Sequence, residues 1–71
     1  MKLYYINNST STNPHGNNEV HTENCSKLSS ISNRSCLGYF NNGIEAVSAA
    51  KSKGYNKADG CILCCPEAHQ E

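Results

Sequence analysis

Three thiols stand within five residues at Cys61-Ile62-Leu63-Cys64-Cys65, directly after Asp59-Gly60 and directly before Pro66. A Cys-x-x-Cys pair on a tight turn aims two sulfurs at one point, which is half of a tetrahedral zinc site or the whole of a dithiol redox centre. The other half of a zinc site has to come from a distant pair, and His21-Thr22-Glu23-Asn24-Cys25 offers one. Zinc takes four borderline ligands at about 2.0–2.3 Å, commonly supplied as two local pairs that folding brings together. His21, Cys25, Cys61 and Cys64 are therefore the expected ligands of one structural Zn2+. The competing chemistry is thiol-disulfide exchange or oxidant sensing by Cys61, Cys64 and Cys65, which requires thiols of lowered pKa.

The remaining candidates read more plainly. Cys65 competes with Cys64 for a metal, and its simpler role is a spare thiol or part of the core. His69 lies close enough to the knuckle to replace His21, but it belongs to a tail expected to fray over residues 67–71. His15 falls in a polar loop and is expected to be exposed. Cys36 precedes an apolar run and reads as a small buried hydrophobe. Lys51, Lys53 and Lys57 with Tyr55 would suit a phosphate backbone, yet lysines at a helix end also offset its dipole and are usually just solvated.

The elements that must position the two pairs follow from local chemistry. Leu3-Tyr4-Tyr5-Ile6 is strand-favouring, so Lys2 to Asn7 is expected as a first strand. Residues 7–18 are a polar run around Pro14-His15-Gly16-Asn17 with no periodicity, and are expected to form a long flexible loop. Glu19 to Thr22 reads as a second strand with Val20 on the core side and His21 on the other. Cys25 then opens a turn or short helix carrying Lys27, Leu28 and Ile31, where a helix N-terminus would favour its thiolate. Ser29 to Ser35 reads as loop and Leu37 to Phe40 as a further strand. Asn42 is an N-cap with Glu45 three residues on, alanines follow, and Gly54 stops the helix, which is expected over about 43–53 with Ile44 and Val47 packed on the sheet. The fold class is thus α+β: a small zinc-stapled domain of two or three short antiparallel strands and one main helix.

Seventy-one residues with 37% hydrophobic content, no Trp and one Phe make one small domain, 1–71, whose core supplies about 3–5 kcal/mol. A structural zinc adds on the order of 10 kcal/mol of binding energy that is also folding energy. Six basic and six acidic residues cancel to a formal charge of zero, so no overall field draws the chain to nucleic acid or an anionic membrane. The apolar run Leu3 to Ile6 is too short for a signal peptide or a membrane span. The expectation is a cytoplasmic monomer, where clustered thiols bind metal or do redox work more often than they form structural disulfides.

The order of these features resembles the Ada-type metal-binding domain and its shorter relatives. The matching residues are His21, Cys25, Phe40, Glu45-Ala46, Gly54-Tyr55, Cys61 and Cys64, spread from Val20 to Pro66. In Ada four cysteines bind the zinc, and the first takes a methyl group from DNA phosphotriesters. The matching position here is His21, which cannot act as a zinc thiolate nucleophile. The resemblance therefore implies the fold and the metal but not the repair reaction. The functional expectation is a non-enzymatic zinc-binding module whose partner is a nucleic acid or another protein.

Overall fold

The computed structural model describes residues 1–8, 17–28 and 33–70. Most of the expected loop over 7–18, including His15, lies outside the described residues, as do Ile31 and Glu71. The elements run β1 (Lys2–Asn7), β2 (Asn18–Thr22), β3 (Arg34–Phe40), α1 (Gly43–Ser52) and β4 (Ala58–Gly60), followed by one 3-10 turn at Pro66–Ala68. Among the described residues they form a small α+β structure with four strands in the order β3-β1-β2-β4. The expected two or three strands correspond to β1, β2 and β3, the last starting at Arg34 rather than Leu37. β4 is the addition. It runs parallel to β2, so the sheet is mixed rather than purely antiparallel.

β1 sits between β3 and β2, pairing along both edges, and its alternating Tyr4 and Ile6 are both buried on the helix-covered face. These side chains meet Val20 of β2, Leu37 of β3 and the buried Ala46, Val47 and Ala50 of α1 in one core cluster. Burial of large side chains such as Tyr4, Ile6 and Val20 contributes about 1.5–3 kcal/mol each. Phe40 closes one edge, its ring 6.2 Å from that of Tyr4.

The helix start follows the capping pattern in its sequence. The Asn42 side chain accepts the Glu45 N–H at 3.0 Å, while the Glu45 carboxylate accepts the Asn41 N–H at 3.2 Å. A third acceptor comes from the far end of the chain: Glu67 takes the Gly43 N–H at 2.7 Å, setting a negative charge at the positive end of the helix. At the other end Gly54 has φ +106°, and the N–H groups of Gly54 and Tyr55 bond the carbonyls of Lys51 and Ala50. This is a Schellman closure, which only glycine enters without strain.

Two further expectations change. Ile44, expected on the sheet, is 56% exposed; the helix instead buries the small side of Gly43, Ala46 and Ala50 with Val47, which lets its backbone approach the strands closely. The expected frayed tail is packed over residues 66–70: Ala68 is buried in the core cluster, and the Gln70 N–H bonds the Asp59 carboxylate at 2.9 Å. Among the described residues no helix is long and apolar enough to cross a membrane.

Candidate metal centre

His21 is carried by β2 near its end, and strand alternation turns it to the face opposite Val20. The chain then bends so that the Cys25 N–H reaches the Thr22 carbonyl at 3.1 Å, and a second turn brings the Leu28 N–H to the Cys25 carbonyl at 3.1 Å. Cys25 therefore closes one turn and opens the next, and among the described residues no helix begins there. Its position is set by the bend rather than by a helix dipole.

The second pair arrives along β4. Gly60 lies opposite Val20 in the parallel register, and the Cys61 N–H continues that ladder to the Val20 carbonyl at 3.0 Å. One residue further along β2 is His21, so the ladder itself delivers Cys61 to its side. The Cys65 N–H closes back on the Cys61 carbonyl at 2.7 Å, which winds residues 61–65 into the knuckle and swings Cys64 inward. Gly60 is required here, because a Cβ on it would stand 2.7 Å from the Cys65 carbonyl oxygen and 2.8 Å from the Ala68 Cβ. Ile62 and Leu63 form the exposed tip.

These four side chains converge. The ligand-type atoms of His21, Cys25, Cys61 and Cys64 all lie within 4.8 Å of one another. Cys25 Sγ is 3.9 Å from Cys61 Sγ, and Cys64 Sγ is 3.8 Å from His21 Nδ1. Ligands at 2.0–2.3 Å from a tetrahedral ion are separated by roughly 3.6–3.8 Å, so both measured edges are close to what one ion would set. His21 is fully buried and Cys61 nearly so, with Cys25 and Cys64 half-buried. The Thr22 backbone N–H donates to Cys64 Sγ at 3.4 Å, tying the knuckle to the end of β2.

Burial lowers the pKa of His21, with Glu19 opposing the shift weakly. The ring is thus neutral at neutral pH and keeps a lone pair for a metal. Its Nδ1 faces the sulfurs. Its Nε2 faces the Asn7 side-chain amide at 3.1 Å and the Glu19 carboxylate at 3.5 Å. Neither Asn7 nor Glu19 was singled out from the sequence, although Glu19-x-His21 on a strand places both side chains on one face.

The competing candidates go elsewhere. Cys65 Sγ approaches Cys64 Sγ to 3.8 Å, but Cys65 is wholly buried in the apolar core. Burial first, then the neighbouring Cys64, pushes its thiol pKa up to about 12; it remains protonated and is a core residue. His69 Nδ1–H donates to the Gly60 carbonyl at 3.0 Å and lies 3.6 Å from Asp59, so it holds the tail against β4. Cys36 is exposed on β3 rather than buried. Cys36 directly precedes the buried Leu37 on β3, so strand alternation turns it to the opposite, exposed face; standing before an apolar run did not make it part of the core. No protein-family model, curated protein or solved structure matches the chain.

Proposed function

We propose that this chain is a non-enzymatic zinc-binding module in which His21 Nδ1 and the thiolates of Cys25, Cys61 and Cys64 hold one structural Zn2+. The observation that carries the reading is the convergence of one imidazole and three sulfurs, from opposite ends of the chain, within 4.8 Å. Zinc suits this donor set because it is borderline-soft and accepts a tetrahedral shell of three sulfurs and one nitrogen, whereas magnesium and calcium want oxygen. Four protein ligands leave no open position for water or substrate, which makes the ion structural rather than catalytic. The order of ligands and elements shared with Ada-type metal-binding domains supports the same fold and metal. The balance of six basic and six acidic residues favours a protein partner over a nucleic acid, which is drawn in by excess positive charge.

Native mass spectrometry of protein purified without added metal, paired with circular dichroism before and after a strong chelator, tests this. The expected result is one zinc per chain, lost together with the fold on chelation. A metal-free chain that stays folded would overturn the reading, and one lighter by two hydrogens would establish the thiol-disulfide alternative at the Cys61, Cys64 and Cys65 cluster.

A further inference from the structure

We propose that Glu19 is the positioning residue of this centre: its carboxylate receives the Nε2–H of His21 and so leaves Nδ1 bare for the metal. The inference rests on the zinc reading and adds what selects the ligating nitrogen.

A neutral imidazole carries one proton on either nitrogen, and only the bare nitrogen ligates. Nδ1 lies inside the cluster, 3.8 Å from Cys64 Sγ. A metal there obliges Nε2 to carry the proton and to find an acceptor. Bulk water is excluded, because His21 is 0% exposed. Among the described residues, two side chains reach Nε2, Asn7 through its amide nitrogen at 3.1 Å and Glu19 through Oε1 at 3.5 Å.

Their demands differ. An amide nitrogen is a donor and suits a bare Nε2, but a half-turn of the terminal amide presents its oxygen instead, so Asn7 serves either tautomer. A carboxylate only accepts, so Glu19 favours the Nε2–H form alone. Its backbone is fixed opposite Asp59 in the β2–β4 ladder, while its side chain, 37% exposed, has the rotamer freedom to close the 3.5 Å gap to hydrogen-bonding distance. A carboxylate behind a metal-bound histidine fixes ring orientation and raises ligand basicity, and losing it costs about 10–100-fold in metal affinity.

The test uses the full chain with Glu19→Ala and Glu19→Gln, zinc affinity from competition with a chromophoric chelator, and the nitrogen chemical shifts of the His21 ring. The unmodified chain is expected to show a metal-bound Nδ1 and a protonated Nε2. Glu19→Ala is expected to bind zinc about 10–100-fold more weakly and to shift the Nε2–H resonance. Glu19→Gln, which keeps an acceptor oxygen, is expected to recover most of the affinity. Equal affinity and an unchanged Nε2 signal in Glu19→Ala would overturn the proposal, as would metal bound through Nε2 in the unmodified chain. If the unmodified chain takes up no zinc at all, the metal reading fails first, and that result is distinct from either.

Discussion

Two adjacent cysteines with opposite surroundings show what residue-scale chemistry decides. Cys64 sits half-buried among His21, a backbone N–H and other thiols, whereas the Cys65 side chain is sealed in the apolar core with its thiol pKa pushed up to about 12. One is placed to face a metal, and the other is suited to stay a neutral packing group. Cys65→Ser should therefore leave the metal stoichiometry at the unmodified value while lowering stability by about 1–3 kcal/mol, since the hydroxyl enters an apolar site. Cys61→Ser should abolish tight metal binding. Metal-to-protein ratio and denaturant midpoint, measured on both variants, separate the two roles; metal loss in Cys65→Ser would assign that thiol to the site. The positions of the proposed ligands were legible in the sequence because His-x3-Cys and Cys-x2-Cys are local spacings. What was not legible is which of two neighbouring thiols turns inward, since that depends on how the Cys61–Cys65 turn is wound. Asn7 was missed because its proximity to His21 Nε2 comes from the pairing of β1 with β2, whereas Glu19, two residues before His21 on one strand, was within reach of alternation alone.

The elements themselves divide along the same line. β1, β2 and α1 announce themselves through local preference, in a strand-forming run, an alternating pair, and a capped alanine-rich stretch ended by glycine. β4 does not, because Ala58-Asp59-Gly60 contains two poor strand formers and reads as a turn; it is a strand only because β2 offers it a ladder. The exposed position of Ile44 has the same origin, since close approach of the helix selects its smallest face for burial. β4 is nevertheless the element that carries Cys61 to His21, and it passes the Cys65–Ala68 segment at a distance only glycine allows. Gly60→Ala forces a Cβ to within 2.7 Å of the Cys65 carbonyl oxygen, a backbone atom that cannot move without reshaping the knuckle. Overpacking of this kind costs about 1–3 kcal/mol. The variant should unfold at lower urea concentration and bind zinc more weakly, both read from one titration series. Unchanged affinity would mean that the knuckle is not held by its packing against β4.

At the scale of the whole molecule, a core of this size leaves little margin, and the metal would join β2 and its following turn to the last strand and knuckle. Acid should dissolve that link from two directions at once. Burial holds the His21 pKa below its ordinary value, so below a pH of about 6.5 the unfolded chain takes up a proton that the folded chain does not. Stability from this source is complete above that pH and is lost as the pH falls. Protons also compete with the metal for His21 and the three thiolates, in the same direction. The thermal midpoint of the zinc-loaded chain should therefore hold steady from about pH 8 to about 7 and fall steeply toward about pH 5. A strong chelator at mildly alkaline pH should reproduce most of that fall, because there only the metal is removed and His21 is already neutral. Melting curves across this range, with and without chelator, check the argument. A midpoint indifferent to both acid and chelator would mean that the small core and its capped helix hold the fold unaided.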